Sequence, residues 1–170
     1  MNLERFDIGT PIGVIADTHG TLWDEALPLL EDCELILHLG DVGKPFILKR
    51  LAEMAELLVV RGNIDTQDWT ETTPWTLDIL VNGWRLHLVH NIADFNTDIS
   101  CDAVLHGHSH KPRNEWRDGR LWFNPGGGGR RRFTLPITLG KLWADERGLR
   151  GAVVHLPLDA DKNHAATRSR

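Results

Sequence analysis

An α/β fold built around an open parallel sheet is what this sequence predicts, and three observations carry the prediction. Short apolar runs alternate with longer amphipathic stretches through the first half, in the order strand–helix–strand–helix–strand. Each apolar run is followed within three residues by Asp or Asn. At 170 residues, with 41% apolar and 25% charged residues, the chain has the length of one domain and an ordinary globular composition.

The elements follow in order. Residues 12–16 (IGVIA) read as a buried strand ending at Asp17, and residues 23–31 (WDEALPLLE) as a helix that Pro28 weakens in its middle. Residues 34–39 (ELILHL) form the second strand, ending at Gly40-Asp41. The second helix spans 45–57, with Pro45 at a plausible first position and apolar residues recurring every three or four. Residues 57–60 (LLVV) form the third strand, ending at Arg61-Gly62-Asn63. The second half changes character. Residues 76–81 and 84–89 flank Asn82-Gly83, the strongest two-residue hairpin signal. A short strand over 102–106 follows, then a hairpin of 113–117 and 120–123 around Asp118-Gly119. Residues 134–139 and 149–156 are the last expected strands, with a turn or broken stretch between them. The expected domain is 1–158, and the polar segment 159–170 reads as a flexible tail.

Charge and composition narrow the function. The net charge of −5 gives no basic footprint, so nucleic acid is not expected as a stable partner. No run of about 18 apolar residues occurs, and the first residues lack a signal-peptide layout, so no membrane association is expected. Cys33 and Cys101 belong to no CxxC pair and suit a reducing compartment, which makes the cytoplasm the expected location. The seven Trp form no stripe at helical or strand spacing. Most are expected in the core or in subunit contacts rather than in a base-stacking platform, which leaves room for a homo-oligomer.

The chemistry gathers at the strand ends. They carry Asp17-Thr18-His19, Gly40-Asp41, Gly62-Asn63, His90 and Gly107-His108-Ser109-His110. In open α/β sheets the ligand crevice lies outside the carboxyl ends of the strands. Singly, each such Asp reads as a turn or cap residue and each His as a surface or core residue. Together they bring two Asp, one Asn and four His to one edge. Carboxylate, amide oxygen and neutral imidazole suit Mn²⁺, Fe, Zn²⁺ or Co²⁺ better than Ca²⁺. Seven ligands exceed what one ion takes from protein, whereas two ions roughly 3.5–4 Å apart could share them with one Asp bridging.

This ordered set resembles the calcineurin-like metallophosphoesterases, and the short length resembles their small branch, typified by the YfcE-like bacterial phosphodiesterases and archaeal relatives. The likeness covers residues 12 to about 135, including Asn124-Pro125-Gly126, which is similar to the branch's NPGS stretch. It implies a metallo-dependent phosphatase-like α/β fold, a four-layer α/β/β/α sandwich with two metals at its edge. By family pattern Asp17, His19 and His110 hold one ion, Asn63, His90 and His108 the other, and Asp41 bridges them. A hydroxide bridging the two ions would attack phosphorus in a small phosphate ester, with Asp41, Asn63 and His108 as the catalytic residues. The implied cofactors are two divalent ions, with Mn favoured and Fe, Zn, Co, Mg or Ni as alternatives.

Three departures from the pattern bear on this reading. His90 is followed by Asn91 where Gly is usual, and the glycine run 126–129 stands where Gly-Ser is common. Ile64 occupies a position where many relatives carry the histidine read as leaving-group acid, so no general acid is expected there. His38 and His106 are expected to be structural, Asp65 either to orient a ligand or Arg61 or to serve as a plain turn residue, and Arg130, Arg131 and Arg132 to form a solvated basic loop in preference to drawing in anionic substrate. A phosphodiesterase is the favoured function. The alternatives are a phosphomonoesterase with the same site and a non-catalytic scaffold like the retromer subunit of this fold.

Overall fold

Apolar runs of four to six residues form strands here because a sheet buries them on one or both faces. In the computed structural model, which describes residues 3–159, there are eleven strands: β1 (Glu4–Phe6), β2 (Ile12–Ile15), β3 (Leu35–His38), β4 (Glu56–Val59), β5 (Thr76–Val81), β6 (Trp84–Val89), β7 (Ala103–Leu105), β8 (Arg113–Arg117), β9 (Arg120–Asn124), β10 (Thr138–Asp145) and β11 (Gly148–His155). Two α-helices, α1 (Leu27–Leu30) and α2 (Pro45–Ala52), are joined by short 3-10 turns elsewhere.

The strands make two sheets, in the orders β1-β5-β6-β7-β9-β8 and β11-β10-β2-β3-β4. One apolar cluster lies between them: Val14, Leu37 and Leu142 from the five-stranded sheet meet Leu86, Leu105 and Phe123 from the six-stranded one, all with no exposed surface. A second cluster, with Ile15 and Ile36 on one side and Leu30, Ile47 and Leu51 on the other, seals α1 and α2 to the outer face of the five-stranded sheet. Against the outer face of the six-stranded sheet lie the 3-10 turn Ile92–Asp94 and Phe95, whose ring meets His87 and Trp122. This is a mixed α/β fold with two sheets and few helices, as the family resemblance implies.

The central pattern agrees with the sequence reading: β2, β3 and β4 pair in parallel. The 76–81/84–89 hairpin has the expected bounds, closing through Asn82 (φ 49°) and Gly83 (φ 86°). Both residues at positive φ are what a type I′ turn requires.

Four elements differ from expectation. The 23–31 helix is a 3-10 turn followed by the single turn Leu27–Leu30, because Pro28 has no N–H to bond back along a longer helix. The second helix stops at Ala52, since the chain must turn to enter β4 at Glu56. β1 was not expected: its three residues carry two charges, and parallel pairing with β5 alone makes it a strand. The expected strand 134–139 begins only at Thr138 and runs on to Asp145, through the stretch read as broken. It pairs antiparallel with both β11 and β2, so tertiary pairing overrides its mixed local pattern. The expected tail, but for Asp159, lies outside the described residues.

None of the seven Trp is fully buried, but Trp84 packs against the core between the sheets and Trp23 and Trp69 against the core under the helices, while Trp75 and Trp116 are more than half exposed. Three indole N–H groups donate to backbone carbonyls, Trp23 to Gly129, Trp84 to Asp145 and Trp122 to Arg117. Cys33 and Cys101 are unpaired. No helix among the described residues is long and apolar enough to cross a membrane.

Candidate metal centre

Five strand ends converge because their backbones are tied together. The Asp17 N–H donates to the Gly40 carbonyl at 3.0 Å, His19 to Asp41 at 2.9 Å, and Gly107 to His90 at 2.9 Å. Asp17, His19, Asp41, His108 and His110 have φ between 45° and 68°, in the left-handed region. Non-glycine residues rarely sit there, and such strain gathers at functional sites. Glycines allow the close approaches, Gly62 and Gly129 among them. A Cβ on Gly62 would collide with the Asp41 backbone and Oδ1, and one on Gly129 with the Thr18 carbonyl.

The seven expected residues fall into two groups around Asp41. In the first, the coordinating atoms of Asp17, His19 and His110 lie within 4.8 Å of one another, and in the second so do those of Asp41, His90 and His108. Asn63 joins the second, its Oδ1 lying 3.1 Å from both His90 Nε2 and His108 Nδ1. Asp41 Oδ2 lies 3.5 Å from His19 Nε2 and 3.3 Å from His90 Nε2, so it faces both groups. His90 Nδ1 donates to the Leu39 carbonyl at 2.7 Å, which turns Nε2 toward the centre.

The electrostatics fit divalent cations. Asp17 Oδ1 is buried with no hydrogen-bond partner, a costly state that a cation would relieve. Burial pushes its carboxyl up to about 7, the Asp41 charge adding to the effect and His90 opposing it. Burial also holds His110 down to about 4 and lowers His19, in both cases with help from the Arg132 charge. Their Nε2 atoms face each other at 3.2 Å. Burial pulls the Asp41 carboxyl upward, but hydrogen bonds from His90 and the Ile64 N–H outweigh it and hold the group low. Carboxylate oxygen, amide oxygen and imidazole nitrogen together suit the transition-metal dications.

A pH dependence follows from Asp17. Its folded pKa is raised, so below about pH 7 the metal-free chain carries a proton there that an incoming cation must displace. Mn²⁺ affinity should therefore fall as pH drops from about 8 to about 6, with proton release on binding at the lower pH. Calorimetry in buffers of different ionisation enthalpy reads both; constant affinity with no proton release would contradict this assignment.

The remaining residues separate clearly. His38 Nδ1 accepts from the Gly40 N–H at 3.2 Å, so its Nε2–H donates to Thr18 Oγ1 at 3.0 Å, and that hydroxyl donates to the Val42 carbonyl. Burial takes His38 down to about 3, and the neutral ring stitches two ligand turns together. His106 is buried, and Asn124 beside it donates to the Gly107 carbonyl, holding the His108 loop. Asp65 is the clamp between motifs, its carboxylate accepting from Val42, Gly43 and Gly62 N–H groups while its carbonyl accepts from Arg61 Nε.

The basic loop is exposed at Arg130 and Arg132, in keeping with the sequence reading. Arg131 ties the loop to its own carbonyls, but Arg132 Nη2 lies 3.5 Å from His19 Nδ1, a fixed positive charge beside the first group. Sequence offered only a run of three arginines, with nothing to single out this one. Trp75 was also missed: it lines a cleft of about 300 Å³ next to the second group.

Known proteins are similar to this chain in sequence and fold. The model of the calcineurin-like phosphoesterase superfamily domain matches residues 11–147. A probable metallophosphoesterase of Methanothermobacter thermautotrophicus is 29% identical over 143 residues, covering 75% of this chain and 83% of that one. YfcE, a phosphoesterase from E. coli, superposes with TM-score 0.67 at 24% identity, covering 86% of this chain and 99% of that one. An archaeal phosphodiesterase gives 0.65 at 22%, covering 85% and 99%. Vps29 of Chaetomium thermophilum gives 0.69 at 15%, covering 88% and 100%.

Proposed function

Since this chain belongs to the calcineurin-like phosphoesterase superfamily, we propose that it is a binuclear metal-dependent phosphoric ester hydrolase that prefers diesters. The observation that carries this reading is the pair of three-residue groups meeting at Asp41, with Asp17 Oδ1 buried and unpartnered between them. Asp17, His19 and His110 would hold one ion, Asn63, His90 and His108 the other, and Asp41 both, with Mn²⁺ the favoured ion. When bound, the ions lower the pKa of water toward about 7 and neutralise charge on phosphate oxygens.

The chain's own residues do the rest. The carboxylates of Asp41 and Asp17 concentrate negative charge where cations must sit, and Asp65 holds the turns that aim them. Arg132 adds a positive charge beside the first group, which offsets part of the substrate's phosphate charge. We read residues 1–158 as one such domain working in the cytoplasm, where two unpaired cysteines are at home.

A scaffold role is the competing reading, and the likeness to Vps29 favours it. Seven metal-competent side chains and an unpartnered buried carboxylate oxygen favour the hydrolase, because a scaffold has no use for that electrostatic cost.

Ile64 favours esters with good leaving groups, aryl diesters among them. Its backbone N–H binds Asp41 Oδ1 at 3.0 Å, which puts the residue beside the centre, yet its side chain has no proton to give a leaving oxygen. A positioned acid contributes roughly 10²–10⁴-fold, and poor leaving groups need it most. With Mn²⁺, aryl diesters should therefore outrun alkyl monoesters. Ile64→His should raise kcat/KM on poor leaving groups more than on good ones, so wild type should show the steeper dependence on leaving-group pKa. Coincident slopes would defeat the missing-acid account, and faster monoester turnover would make the protein a phosphomonoesterase.

A further inference from the structure

Beside the second ligand group the surface opens into a cleft of about 300 Å³ that runs from Asn63, His90 and His108 out to Arg61 and Trp75. Trp75 is 58% exposed, an unusual state for the largest apolar side chain. It is nevertheless anchored. The Arg61 N–H donates to the Pro74 carbonyl at 2.8 Å, and the Arg61 guanidinium lies 4.6 Å from the indole centroid. Arg61 Nε in turn donates to the Asp65 carbonyl at 2.7 Å. Asp65 is the residue that clamps the Asp41 and Gly62 turns, so the indole is tied to the same scaffold as the candidate ligands.

The cleft has the size and lining of a small-molecule site. Ligand pockets begin at about 300 Å³, enough for one nucleoside-sized group and too little for a folded partner. Val89 adds an apolar wall. Asn91, which replaces the family's usual glycine, accepts the Ala93 N–H and caps the turn that carries Asp94 to the rim.

We propose that this cleft binds the organic group of the substrate, with a heteroaromatic ring such as a nucleobase stacked on Trp75 and its phosphate at the ligand groups. Nucleoside phosphodiesters are then the substrate class. A held indole loses little freedom on stacking, so contact with the ring is retained as affinity. Every base presents a π-face, so the platform separates aromatic from alkyl esters and discriminates little among bases. The phosphate end rests on the hydrolase reading above; the platform rests on Trp75 and Arg61.

The test is calorimetric titration of the full chain, with and without Mn²⁺, using adenosine 5′-monophosphate and ribose 5-phosphate. The two share sugar and phosphate and differ in the base. The nucleotide should bind about tenfold tighter or more. Trp75→Ala should erase that difference, and Trp75→Phe should keep most of it. Equal affinities in wild type, or a preference that survives Trp75→Ala, would overturn the platform. A Trp75-dependent preference without turnover of any diester would leave the platform standing and remove the hydrolase reading. Diester turnover without a base preference would do the reverse.

Discussion

Asp41→Asn should lower diester turnover at least about a hundredfold and weaken the binding of divalent ions at both groups. Asp41 Oδ2 lies between His19 and His90, one from each group, so the substitution takes the negative charge from the carboxylate that approaches both most closely. Two dications about 4 Å apart repel strongly unless a charge between them compensates. Losing fixed charge or donors at a reacting centre costs on the order of 10²–10³-fold. The amide keeps the carboxylate's shape and can still accept the Ile64 N–H, so the metal-free fold should melt close to wild type. Turnover within a few fold of wild type would show that Asp41 is not the shared ligand.

The second large effect divides the histidines. His108→Ala and His110→Ala should each reduce activity at least about a hundredfold while leaving most of the stability, because both stand on loops beyond the strands. His38→Ala and His106→Ala should instead lower stability first, by roughly 1–3 kcal/mol each. His38 should be the costlier loss: its ring bonds link β3 to both the Thr18 and the Gly40 turns, whereas His106 Nε2 has no partner among the described residues. Melting temperature and metal-dependent turnover, measured on all four variants, separate the two classes. Equal effects on both quantities across the four would mean that the division is wrong.

Much of the candidate site was legible because its chemistry is local. Asp17, Asp41, Asn63 and His108 each stand within three residues of the end of a short apolar run, so residue type and position are enough to mark them. The β2–β3–β4 core and the Asn82-Gly83 hairpin were legible for the same reason, since their signals lie within a few residues. What stayed hidden depends on distant pairing. β10 is a strand because β2 and β11 flank it, not because of its own pattern. Arg132 differs from its two neighbours only in where the loop sets it, beside His19. The Asp65 clamp gathers N–H groups from two motifs more than twenty positions apart. Trp75 looked like any other indole until Arg61 was found against it.

If the strand-end cluster is a metal-dependent hydrolytic centre, chelator-stripped protein should not turn over bis(p-nitrophenyl) phosphate, and activity should return as about two equivalents of Mn²⁺ bind per chain. Full-rate hydrolysis by the stripped protein, or no hydrolysis with both equivalents bound, would show that the cluster is not such a centre.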